Sequence, residues 1–290
     1  MNMNAQTVWL TWRRIMCEQP LAEAVLAGRV DDLQQRFSLT DDEYAVAREY
    51  AHESSGARWF VENYRFRMRN SFLNALENGA PLTLRALLAD GHDVRELGAR
   101  FLDTVGWRDY GPFVYTYCAE ALTFLRHDAQ AVRVAGMSDL MGLEAAAVAM
   151  LLRVGALDEA TRAQALGSTA ASAAQFDDAS VVWVRSPYCE LYRSSTQLAK
   201  WLREKGTLGR EPLPAVPGVY VAYYADDVRT HRFGMLPERA AQIVDALEHE
   251  ADRAALNERL VARGMAPVTE ADARAFELLR QCRAIDVSRG

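Results

Sequence analysis

The sequence lacks most of what marks an enzyme. It has no GxSxG elbow, no P-loop and no paired-glycine dinucleotide motif. Its histidines, His52, His92, His127, His231 and His249, form no HxxxH, HExxH or EF-hand pattern. Its cysteines, Cys17, Cys118, Cys189 and Cys282, lie far apart with no CxxC pair, which argues against a zinc module or a disulfide framework. They read as buried or idle thiols in a reducing compartment. No uninterrupted apolar run approaches the roughly 20 residues that span a bilayer. The opening stretch, MNMNAQTVWLTWRR, lacks the basic-then-apolar order of a signal peptide, so a cytoplasmic location is expected. Basic surplus is missing too: the net charge is -6, where a nucleic-acid binder usually carries a basic face.

What is present is ordinary soluble composition. Half of the 290 residues are apolar and 25% are charged, enough chain for two domains and a substantial core. Residues 5–166 carry helical periodicity. In LTDDEYAVAREYA, Thr40 reads as an N-cap with acidic residues in the first turn, where they complement the helix dipole. Phe60, Tyr64, Met68 and Phe72 recur every fourth residue, and that helix should stop at Gly79 and Pro81. SDLMGLEAAAVAMLLRVGAL is apolar nearly all round and should sit inside a bundle.

From residue 167 the composition changes. GSTAASAAQFDDAS reads as a linker and VVWVRS as a short strand. QLAKWL reads as a short helix, followed by a Pro/Gly-rich loop. GVYVAYYADDVRTHRFGML then reads as a hairpin with an Ala-Asp-Asp turn, its second strand over residues 228–236. Three helices follow, with Pro237 in the first turn of one, Gly264 at a C-cap and Thr269 at an N-cap. AIDV is a final strand candidate. The expected fold is therefore α+β, mostly α. Residues 1–170 form a helical bundle, 171–217 a junction, and 218–290 a small winged-helix-like domain.

Winged-helix layouts commonly bind DNA, so a transcriptional regulator is the alternative. The residues from 218 onward are near charge balance, and Glu270, Asp272 and Glu277 accompany Arg274 and Arg280 on the last helix. A helix entering the major groove normally brings cations for the phosphates. Single residues with chemical potential are few. His92 stands between two aspartates, the usual setting of a solvated cap. His127 suits a helix C-terminus. Cys189 lies among Tyr188 and Tyr192, where aromatic packing is the plainer reading and a reactive thiol the alternative. The cluster GWRDYGPFVYTYC reads as helix core or as a protein interface, where Trp, Tyr and Arg concentrate.

The stretches SPYCELYRSSTQLAKWL, GVYVAYYADDVRTHRFGMLPERAAQIVDALEHEADRAALNERL and ARAFELLRQCRAIDV, in that order, resemble a family: the partner proteins of multinuclear non-haem iron-dependent oxidative enzymes that modify ribosomal peptides. The resemblance extends over most of the chain as layout and scattered residues. It implies a non-catalytic subunit with no metal or cofactor of its own. Iron would sit in a separate TIM-barrel oxidase with which this chain forms a heterodimer. The precursor's leader would add as a strand to the hairpin's outer strand and lean on the third helix. In pathways of the 3-thiaglutamate type, the pair removes the β-methylene of the precursor's C-terminal cysteine. An exposed strand edge is a template for such addition. The expected peptide-binding residues are Val228, Arg229, Thr230, His231, Arg232 and Phe233 on the strand, with Phe276, Leu279 and Arg280 on the helix. The expected oxidase contacts are Trp107, Tyr110 and Tyr115. Neither nucleic acid nor membrane is an expected partner.

Overall fold

The computed structural model describes residues 4–107, 114–158, 181–224 and 231–288. The described residues are mostly helical, with two small antiparallel sheets among them. It divides into two compact units: Met1–Ala75 with Asp93–Tyr117, and Leu76–His92 with Cys118–Gly290. Among the described residues no helix is long and apolar enough to cross a membrane.

The helices of the first part are α1 (Ala5–Cys17), α2 (Gln19–Leu26), α3 (Leu33–Arg36), α4 (Asp41–His52), α5 (Ser54–Gly79), α6 (Pro81–Ala89), α7 (Val94–Val105), α8 (Val114–His127) and α9 (Met137–Gly155). Thr40 caps α4 as expected. Its hydroxyl accepts the Glu43 amide while the Glu43 carboxylate accepts the Thr40 amide, a reciprocal box that satisfies two end donors. α1, α2 and α4 close the first unit's core around Ile15, Leu21, Val25, Leu33 and Ala47. The stripe at every fourth residue is only in part the face α5 buries: Phe72 is buried and Tyr64 packs on the first unit's core, whereas Phe60 is exposed and Ala57, Val61 and Leu76 are buried in addition.

The second part supplies β1 (Val182–Arg185), β2 (Cys189–Ser194), α10 (Leu198–Arg203), β3 (Gly218–Tyr224), β4 (His231–Leu236), α11 (Glu238–Ala246), α12 (Arg253–Ala262), α13 (Ala273–Gln281) and β5 (Ile285–Ser288). β1 pairs antiparallel with β5, and β2, β3 and β4 form a second sheet in that order. The expected hairpin exists, with Val219 opposite Leu236 and Tyr224 opposite His231. Its turn lies outside the described residues. β2 is an additional strand. It pairs along β3 from Cys189–Tyr223 to Ser194–Gly218.

This three-stranded sheet is covered on both faces. Strand alternation puts Val221 and Leu236 on one face, in a core with Ile243, Leu256, Leu260, Phe276 and Leu279 from α11, α12 and α13. α9 packs on the sheet through β2 and β3, and is buried nearly all round, as its composition required. The Tyr192 ring lies so close to Gly142 of α9 that only a glycine fits there. Asp139, one turn earlier, ties the same helix to the end of β2. Its carboxylate accepts Tyr192 Oη at 2.9 Å, Ser195 Oγ at 2.8 Å, Thr196 Oγ1 at 2.7 Å and the Ser195 amide at 3.1 Å.

Candidate functional site

The sheet has two outer strands, and they differ. At the start of β2 the Arg153 guanidinium occupies backbone oxygens, donating to the carbonyls of Cys189 at 2.7 Å and Pro187 at 3.2 Å, while it pairs with Glu190 at 2.7 Å. β4 pairs with β3 alone. Among the described residues no other backbone group bonds to its outer side. Arg232 and Met235 are exposed on it, Met235 to 62%. His231 and Phe233 share the opposite face from Arg232 and meet edge to face, with ring centroids 5.3 Å apart. Partial burial holds the His231 imidazole below its ordinary pKa, which favours the neutral ring. Such an edge offers backbone donors and acceptors to an incoming chain, with an arginine on one face and an aromatic–thioether strip on the other.

The residues named from the sequence fall into three groups. His231, Arg232 and Phe233 stand on the open edge, while Val228, Arg229 and Thr230 lie outside the described residues. Phe276 and Leu279 are buried, with Phe276 against Trp183 at 5.0 Å between centroids. They fix α13 beneath the sheet and present no surface to a peptide. The reason is the helix's own amphipathicity, since its only apolar stripe is consumed by the core. Arg280 is half-buried and bonds to Glu277 at 3.2 Å.

Trp107 is buried as well. Its Nε1–H donates to Asp103 Oδ1 at 2.8 Å, and the Arg65 and Arg69 guanidinia lie 4.9 and 5.4 Å from its ring centroid. Trp107 lines a cleft of ≈ 370 Å³ together with Phe37, Leu102 and Asp103. Tyr115 is half-buried on α8, and Tyr110 lies outside the described residues.

The sequence reading missed the aromatic face of the first unit. Trp9, Trp59, Phe60 and Phe66 are each more than half exposed. Trp59 meets Phe60 edge to face at 5.0 Å, and Trp12 links Phe60 at 6.1 Å to Tyr50 at 4.9 Å. Trp9 and Trp12 sit one turn apart on α1, and Trp59 and Phe66 two turns apart on α5. That spacing was visible as VWLTW and RWFVENYRF, but periodicity alone does not say which stripe faces solvent. Exposed aromatics in contact, as Trp59 and Phe60 are, mark association surfaces more often than bare solvent.

The positions that suggested chemistry are occupied by structure. Cys189 is fully buried, with its Sγ 3.6 Å from the Ala284 carbonyl oxygen, and burial pushes its thiol up to about 12. His92 bonds Asp90 at 3.0 Å, and Asp90 is clamped by Arg133 at 2.8 Å. No group of three or more His, Cys, Asp or Glu is arranged to hold a metal among the described residues. The sequence matches no protein-family model and no curated protein.

Proposed function

We propose that this chain is the non-catalytic subunit of a heterodimeric, peptide-modifying iron oxidase. The leader of a ribosomal precursor peptide pairs along the outer side of β4, which delivers the precursor's C-terminal cysteine to the partner enzyme. The observation that carries this reading is the open β4 edge on a sheet packed on both faces. A three-stranded antiparallel sheet, with α10 between its first two strands in the chain, followed by α11, α12 and α13, supports reading this part as a winged-helix-like peptide-recognition domain. An edge strand backed on both faces is rigid, so an added strand meets a preformed template and loses less ordering entropy on one side. The exposed aromatic face of α1 and α5 supplies the oxidase contact, replacing the buried Trp107. In pathways of the 3-thiaglutamate type, β-methylene excision would take place in the partner, on the partner's iron.

Proline substitution tests the edge. Arg232→Pro and His231→Pro remove N–H groups that point to opposite sides of β4, because neighbouring residues alternate in a strand. One variant should lose precursor affinity about 10-fold or more while keeping its melting temperature; loss of a backbone bond and its geometry supports that scale. The other should lose stability through its bond to β3. Calorimetry with the leader peptide and thermal melts separate the two. Unchanged affinity in both folded variants would move the peptide elsewhere. Elution of this chain and the oxidase as separate species at micromolar concentration would remove the heterodimer.

A further inference from the structure

A groove of ≈ 400 Å³ runs between the C-terminal half of α6 and the turn that follows α10. Its floor is Leu88, Ala89 and Leu208, and its rim carries Arg85, Lys205 and Arg210. No carboxylate lines it. The acidic neighbours are engaged by other cations: Asp90 by Arg133 at 2.8 Å and Glu211 by Lys200 at 2.8 Å, while Glu204 acts on Lys200. Among the described residues none of the three rim cations is ion-paired, in a chain whose net charge is -6. The carbonyls at the end of α6 attract a cation by a few tenths of a kcal/mol up to about 1. That accounts for one basic residue and not for three.

The groove is held in shape. Gly209 adopts φ +72 and lies directly on the Ala86 backbone, where a side chain would collide. Leu208 is buried, and Trp201 Nε1 donates to the Glu211 carbonyl at 3.0 Å. The opposite wall, α6, is anchored at its start by Glu144, which accepts the Leu82 and Thr83 amides at 2.8 and 2.6 Å.

We infer that this groove binds an acidic peptide segment in which an apolar residue stands between carboxylates. The apolar residue covers Leu88, which is 56% exposed, and the carboxylates take paired N–H donors from Arg85 and Arg210. Small-molecule sites enclose most of their ligand, whereas this one is open along its length, as a passing chain requires. The site is separate from β4 and stands whether or not that edge takes a leader.

The test uses the full chain and a fluorescein-labelled octapeptide of alternating Glu and Leu, followed by anisotropy. The Arg85→Gln/Lys205→Gln/Arg210→Gln variant should bind it at least 10-fold more weakly, and Arg274→Gln, at an exposed arginine of α13, should bind it as the parent does. Carbodiimide coupling should mark Lys205 and spare Lys200, the chain's only other lysine. Equal binding of a Lys–Leu octapeptide, or undiminished binding by the triple variant, would overturn the assignment. Displacement by inorganic phosphate or citrate at equimolar concentration would overturn it in favour of a small-anion site.

Discussion

Replacing Asp139 with Ala is expected to cost the second unit about 4 kcal/mol or more, since each buried donor left without an acceptor costs about 1–3 kcal/mol. The groups stranded are Tyr192 Oη, Ser195 Oγ, Thr196 Oγ1 and the Ser195 amide, and the carboxylate they surround is only 8% exposed. Every one of them donates to it, so Asn, which presents an N–H₂ to donors, should fail to restore the site fully. Burial alone would raise the Asp139 pKa, but the hydrogen bonds from Thr196, Ser195 and Tyr192 outweigh it and hold the pKa below 3.8. Its stabilisation is therefore present above the unfolded-state pKa and is lost as pH falls through the lower folded value. Urea melts of parent, Asp139→Ala and Asp139→Asn at neutral pH check this. A loss below about 1 kcal/mol in the alanine variant would show that water substitutes for the carboxylate.

Glu144 carries the opposite sign. It is fully buried beneath the start of α6, and burial raises its pKa from 4.5 to about 7 against the opposing bonds from the Leu82 and Thr83 amides. Burial, and next Glu144 itself, hold the Cys118 thiol of α8 neutral. A carboxyl whose pKa is raised on folding stabilises fully below pH 4.5 and loses that contribution as pH rises to about 7. The change amounts to about 3 kcal/mol, from 1.36 kcal/mol for each tenfold change in proton affinity. Glu144→Gln removes the titration. The stability difference, parent minus variant, should fall by that amount between pH 4.5 and 7.5. A flat difference would mean that α6's amide bonds already hold the carboxylate ionised near its ordinary pKa.

Much of the helical architecture was legible because its signals are local. The Thr40 capping box, the turn at Gly264 with φ +73 and the all-round apolar α9 are each decided within a few residues. β2 was not legible. Its residues, CELYRS, drew attention as a thiol among tyrosines, and what makes them a strand is pairing with β3 across α10 and a Pro-rich loop. Phe276 and Leu279 show the same limit from the other side. Their spacing placed them on one face correctly, but only packing decides whether that face meets a core or a partner. Phe60 fell the other way, from an expected stripe into solvent. Residue type and period give the face; the neighbour is set by contacts distant in sequence.

Amide hydrogen exchange of β4, with and without the precursor peptide, tests the central assignment most directly. Strand addition gives the outward N–H groups of residues 231–236 new acceptors, while those already bonded to β3 are protected in both states. The account predicts that alternate amides of β4 slow by at least about 10-fold on saturation with the leader, a free-energy difference near 1.4 kcal/mol. A peptide that binds with unchanged exchange throughout β4 would contradict it.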